Sequence, residues 1–143
     1  MATILFAENN QTLLKCRKAL LTLRPHLNPE EFLLKANLLL SEGAKIIYID
    51  HDTDAPAVAV FRMNYYFYRG KNIYIDDLIT LPESRGKGYA TALLEFIDEF
   101  GRQNQCANVH LDSGYWAERR TAHRLYLNHG FHLASHHFEK SLL

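Results

Sequence analysis

Apolar positions along this chain change their spacing several times, and each change predicts an element. Thr3 to Ala7 reads as a short strand. Asn9 or Asn10 follows as a helix cap, because a short side-chain oxygen satisfies free N–H groups. Leu13, Leu14, Leu20 and Leu21 form the apolar side of that helix, and Arg24-Pro25 ends it. Asn28-Pro29-Glu30-Glu31 starts a second helix: a capping residue, Pro in the first turn and Glu three positions after the cap. Phe32, Ala36, Leu39 and Leu40 then keep helical spacing, and Gly43 is the predicted stop.

The middle of the chain switches to strands. Ala44 to Asp50 is one, and His51 to Pro56 is a polar turn. Ala57 to Tyr68 is a long strand rich in aromatic and β-branched residues. Arg69-Gly70-Lys71-Asn72 returns the chain as a hairpin into a strand from Asn72 to Leu81. Helical spacing resumes with Ala90, Leu93, Leu94, Ile97 and Phe100 on one face, and Gly101 is the predicted stop. Ala107 to Leu111 is a strand that leaves through Asp112-Ser113-Gly114. Ala117 to His129 is the last helix, ended by Gly130, and Phe131 to Lys140 is a closing strand or hairpin arm. The order β-α-α-β-β-β-α-β-α-β fits one α/β domain over residues 1–143, a mixed sheet with helices on both faces.

Two places break this pattern in ways that point to chemistry. In the strand from Asn72 to Leu81, strict alternation puts Ile73, Ile75, Asp77 and Ile79 on one face and Tyr74, Asp76, Leu78 and Thr80 on the other. Whichever face is core, a carboxylate is planted among apolar side chains, where an unpaired charge is costly. The second place is Arg85-Gly86-Lys87-Gly88-Tyr89-Ala90, between a strand and a helix. A helix start leaves backbone N–H groups unpaired and carries partial positive charge, so it suits a phosphate. Two glycines allow close backbone approach, and Arg85 and Lys87 add formal charge. The spacing matches neither G-x-x-x-x-G-K-[ST] nor the dinucleotide fingerprint, because Thr91 stands where the latter needs Gly or Ala.

Composition narrows the partners. Sixteen basic and sixteen acidic residues cancel, so no net field draws the chain to nucleic acid or an anionic membrane. No apolar run is long enough to span a bilayer, and the first residues do not read as a signal peptide. Cys16 and Cys106 form no C-x-x-C and are expected as free thiols in a reducing cytoplasm. The eight histidines show no metal-ligand spacing, and no metal is expected.

Arg85-x-x-Gly88-x-Ala90 resembles the Arg/Gln-x-x-Gly-x-Gly/Ala signature of the GNAT superfamily of N-acetyltransferases. Asp77-Leu78-Ile79-Thr80-Leu81-Pro82 resembles that family's cofactor-side strand, and Ala122-x-x-Leu125-Tyr126-x-x-x-Gly130-Phe131 its second signature. Residues 72 to 131 carry these motifs. The resemblance implies a GNAT-like fold and direct acetyl transfer from acetyl-CoA, as cosubstrate, to a primary amine. Arg85, Gly86, Lys87, Gly88, Tyr89, Ala90 and Thr91 would hold the pyrophosphate. Backbone groups of Leu78, Ile79 and Thr80 would pair with the pantetheine arm like an added strand.

For the chemistry, the resemblance implies Asp76 as the base that deprotonates the amine, and Asp77 as the acid that holds a cationic substrate. The Asp76-Asp77 pair resembles an acidic pair of polyamine acetyltransferases, which implies a small basic amine. Tyr126 is the implied acid for the departing thiolate. Arg119 stands where the family usually has Asn, seven residues before the Tyr. A bulge, known in this family's fourth strand, would turn both acids toward one cleft. The two early helices would border the acceptor entrance. Two other readings stay open, a protein acetyltransferase acting on lysine or an N-terminus and a non-catalytic acyl-CoA sensor. A homodimer is also left open.

Overall fold

The computed structural model describes residues 2–143. Five strands, β1 (Ile4–Phe6), β2 (Lys45–Ile49), β3 (Ala57–Tyr66), β4 (Gly70–Thr80) and β5 (Asn108–Leu111), lie side by side in chain order. The first four pair antiparallel, and β5 joins β4 in parallel. Helices α1 (Asn10–Leu23) and α2 (Phe32–Ser41) cover one face. Helix α3 (Tyr89–Gln103) covers the other, beside α4 (Arg120–Asn128).

Local signals account for most boundaries. Asn9 caps α1, its side chain accepting from the Thr12 N–H at 2.9 Å. Asn28 accepts from the Glu30 N–H at 3.0 Å and opens a short 3-10 turn, Pro29–Glu31, that leads into α2. Leu13, Cys16, Leu20 and Phe32 are buried against Ile46, Tyr48, Val58, Val60 and Ile79. Leu93, Leu94 and Ile97 of α3 are buried against Ile47, Phe61, Ile73 and Ile75. Burying each such side chain stabilises the fold by about 1.5–3 kcal/mol.

Four expectations change. The hairpin turn is Phe67-Tyr68-Arg69, earlier than expected, and β4 already begins at Gly70. Gly70 has φ +69°, the left-handed position that closes a three-residue hairpin loop. Gly101 does not end its helix: it is buried inside α3, where a Cβ would lie 3.2 Å from Ile73 Cδ1. Its role is close helix–sheet packing, and Gln105, with φ +60°, makes the left-handed turn instead. The last helix starts as a separate 3-10 turn, Ala117–Arg119. The tenth element of the expected order is missing, because Phe131 to Lys140 forms no strand. A strand requires a ladder partner, and this segment makes none with β5 or any other strand.

One irregularity in the sheet positions the acids. β3 and β4 pair Phe61 with Ile75 and Val60 with Asp77, so Asp76 is an extra residue on β4. Before the bulge, Ile73 and Ile75 face α3; after it, Ile79 faces α1. Strict alternation is broken, and the adjacent Asp76 and Asp77 reach one side of the sheet.

Candidate active site

β4 is long and β5 is short, and this difference opens a cleft. β5 pairs with β4 only from Asn72 to Ile75 and ends at Leu111. From Asp76 to Thr80 the β5-side edge of β4 has no strand beside it. Its outward backbone groups can pair with an extended ligand arm. The open edge leads through Leu81 and Pro82 to the glycine turn. There Gly86 has φ +81° and Gly88 φ +79°, and a Cβ at either would meet no atom within 4 Å. α3 starts at Tyr89 with no side-chain cap, so its first N–H groups are unpaired. Arg85 and Lys87 are exposed, and among the described residues neither has an ion-pair partner. The open edge, the uncapped helix and the free cations fit an elongated phosphorylated molecule such as CoA.

The cleft holds about 350 Å³ and brings together Asp76, Asp77, Arg119 and Tyr126, with Leu23 and Arg24 from the end of α1. No α2 residue lines it. Each acid has an arginine. Arg62 from β3 donates to both oxygens of Asp76, Nε at 3.0 Å and an Nη at 2.5 Å. Arg24, the residue that ends α1, donates from Nε to Asp77 at 2.7 Å and from an Nη to the Asp76 carbonyl at 3.2 Å. The two pairs differ in exposure: the Arg24 side chain is 46% exposed, whereas Arg62 is 27%. Burial pushes the Asp77 carboxyl above its ordinary range, and the Arg24 charge offsets this only in part.

Tyr126 is buried beneath the cleft, its ring edge-on to Phe131 at 5.8 Å between centroids. Burial raises its phenol, and Arg119 nearby pulls the other way without cancelling it. The hydroxyl is therefore a neutral donor at physiological pH. His129 Nε2, 2.8 Å from Asp98, ties the end of α4 to α3 and steadies this position. Arg119, at the place of the usual Asn, lies next to the tyrosine rather than out at the glycine turn.

The far wall is the loop after β5. Tyr74 donates its hydroxyl to Asp112 at 2.8 Å, and burial next to that acid raises the tyrosine further. His123 Nε2 lies 2.7 Å from the Gly114 carbonyl and 3.1 Å from Ser113 Oγ, holding the loop to α4. A larger hollow of about 600 Å³ lies on the outer side of α1, lined by Arg17, Lys18 and Glu30, and contains none of the predicted site residues.

Sequence reading missed Arg24 and Arg62 as parts of the site. Arg24 was visible only as a helix end. Arg62 had a signal: it is the lone cation in an apolar strand that must pair with the acid-bearing one. Leu78, Ile79 and Thr80 lie on the open stretch of β4, and Arg85 to Thr91 form the turn beyond it and the first residues of α3.

Known proteins resemble this chain in sequence and in fold. The family described as "Acetyltransferase (GNAT) family" matches residues 13–131. An uncharacterised N-acetyltransferase of Bacillus subtilis, YhdJ, is 28% identical over 120 residues, covering 82% of this chain and 83% of that protein. A thialysine N-ε-acetyltransferase of Bos taurus is 27% identical over 79 residues, covering 53% of this chain and 46% of its own length. Among solved structures, the fold is similar to an acetyltransferase of Trypanosoma brucei, with TM-score 0.80, 22% identity and coverage of 99% and 100% of the two chains. It is also similar to the aminoglycoside N-acetyltransferase AAC(6')-Iy, solved with a CoA-linked bisubstrate analogue, with TM-score 0.83, 16% identity and coverage of 99% and 97%.

Proposed function

This chain belongs to the GNAT acetyltransferase family and is an acetyl-CoA-dependent N-acetyltransferase; from that premise we propose that its acceptor is a small basic primary amine. The observation that carries this reading is the single cleft where Asp76, Asp77 and Tyr126 meet beside the open edge of β4. At about 350 Å³ it suits a compact acceptor better than a length of polypeptide. Direct transfer needs no nucleophilic side chain, and no Cys or Ser of the chain is required as one.

Acetyl-CoA supplies the acyl group and a thiolate leaving group. The residues of this chain do the rest. Arg85 to Thr91 take the pyrophosphate on backbone N–H groups and two cations, and the edge from Leu78 to Thr80 aligns the pantetheine arm. An alkylamine with pKa near ~10.4 arrives protonated and must lose a proton before it attacks. The sequence expectation assigned that proton to Asp76. The ion pairs favour Asp77 instead. Asp76 is engaged through both oxygens by the Arg62 guanidinium, which leaves it poorly placed to reach an incoming amine. Asp77 is made more basic by burial, and its partner Arg24 is half exposed at a helix end, free to swing out as the ammonium enters. Asp76 with Arg62 then forms a fixed wall. Tyr126 donates its hydroxyl proton toward sulfur as charge develops there.

The test is an acceptor screen with acetyl-CoA, read by thiol release. Small diamines and amino-alkyl compounds are expected to outpace lysine-containing peptides. Turnover confined to peptides would overturn the small-amine reading and leave the family assignment intact.

A further inference from the structure

Four carboxylates line the acceptor cleft, Asp76, Asp77, Asp112 and Glu118, together with two guanidinium groups, Arg24 and Arg119. A site shaped for a purely cationic acceptor would leave its acids open to the substrate. Here most of them are already engaged. Arg62, on β3, holds both oxygens of Asp76. Arg24 donates to Asp77 at 2.7 Å. Asp112 accepts from the Tyr74 hydroxyl at 2.8 Å and lies 3.6 Å from His137. Glu118 is exposed to solvent.

Arg119 is the cation that this pairing leaves over. It is half-buried in the cleft wall. Among the described residues it makes no ion pair, not even with the neighbouring Glu118. It lies close enough to Tyr126 to pull that phenol down against the effect of burial. A half-buried guanidinium has lost part of its hydration, and a neutral phenol replaces little of it. A carboxylate replaces far more, through two parallel N–H···O bonds. The phosphate end of the cofactor has its own cations in Arg85 and Lys87, so it does not call on Arg119.

Substrate entry adds a second unanswered charge. The ammonium that takes Asp77 displaces Arg24, which then has no carboxylate of its own in the cleft. A diamine leaves both guanidinium groups unpaired and brings more positive charge beside them. An acceptor that carries a carboxylate as well as an amine answers them. We propose that the acceptor is zwitterionic: a small basic amino acid whose ammonium takes Asp77 and whose carboxylate takes the Arg119 guanidinium. Arg119 is then a specificity-determining residue, and the cleft rejects simple diamines through the charge they leave unpaired. This deepens the small-amine reading and rests on it.

Lysine and cadaverine test the proposal, because they share a carbon chain and both amines and differ by the carboxylate alone. Ornithine and putrescine make a second such pair. Steady-state kinetics with acetyl-CoA, read by thiol release, should give each amino acid a kcat/KM about tenfold to a hundredfold above its diamine, the range of one charge-assisted contact. Arg119→Gln should remove most of that ratio through a higher KM for the amino acid, with CoA affinity by calorimetry unchanged. Arg119→Lys keeps the charge without the planar fork and should keep part of the ratio. A diamine that matches or outpaces its amino acid overturns the proposal and leaves the small-amine reading standing. An unchanged ratio in folded Arg119→Gln overturns it too, whether or not CoA affinity falls; a fall would give the Arg119 charge to the cofactor. If that variant fails to fold, the matched pairs on the wild type decide alone. Turnover confined to peptides, with none of these compounds reacting, removes the small-amine reading and this one with it.

Discussion

Gly88 is the most direct probe of the cofactor turn. Its φ of +79° lies in the left-handed region, and no atom stands within 4 Å of a Cβ built there. Gly88→Ala therefore meets no clash in the protein, and its cost to folding is the backbone strain alone, about 1–2 kcal/mol. For a domain of this length that lowers Tm by roughly 3–8 °C. The cost to binding is larger. A Cβ at the helix start pushes a phosphate off the unpaired N–H groups, and each charge-assisted bond lost is worth about 1.5–3 kcal/mol. Losing two weakens CoA binding by roughly a hundredfold or more. Gly88→Trp fills the approach and should abolish binding. Gly43→Ala is the control: φ there is +97°, a Cβ again meets nothing, and the residue follows α2, so it carries similar strain with CoA affinity unchanged. The assay is calorimetric titration with CoA beside a melting curve for each protein. Wild-type CoA affinity in a folded Gly88→Trp protein would refute the assignment of this turn.

Other predictions concern the cleft. Asp77→Asn is expected to lower kcat by about 10²–10³-fold and to remove an ionisation from the acidic limb of the rate profile. Asp76→Asn should chiefly lower Tm, since it leaves the Arg62 guanidinium partly buried without its carboxylate; kinetics showing the opposite pattern would return the base role to Asp76. Tyr126→Phe keeps the ring and deletes the donor. It should cut kcat by about ten- to a hundredfold, below or at the low end of general-acid assistance because a thiolate is a fair leaving group. Full kcat in that variant, with chemistry rate-limiting, would remove Tyr126 from the mechanism. Because the folded-state pKa of Asp77 is raised above 3.8, folding holds its proton more tightly. Its contribution to stability therefore declines as pH rises through that window and stays lower above it. Denaturant unfolding of Asp77→Asn against wild type should show the difference moving in favour of the variant as pH rises from the ordinary carboxylate range; a constant difference would count against the shift.

Much of this was legible in local sequence because the forces involved are local. A helix stripe depends on residues three and four apart, so the core faces of α1 and α3 could be placed before any packing was known. Glycines between a strand and a helix, flanked by two cations, describe an anion-binding turn without reference to the rest of the chain. The Asp76-Asp77 pair signalled that an apolar strand had a second duty, since carboxylates are not buried without cause. What the pair does was decided elsewhere. Its common orientation comes from a bulge, which is a mismatch with β3 and does not exist in β4 alone. Its arginines come from 53 residues upstream for Arg24 and 14 for Arg62, and only chain packing brings them within hydrogen-bond reach. Gly101 shows the same division. A glycine at a helix end reads as a stop, but the proximity of Ile73 makes it a packing site. The closing strand shows the limit of periodicity. Extended propensity belongs to the segment, but a strand exists only in a ladder with another strand, and Phe131 to Lys140 forms none in this fold.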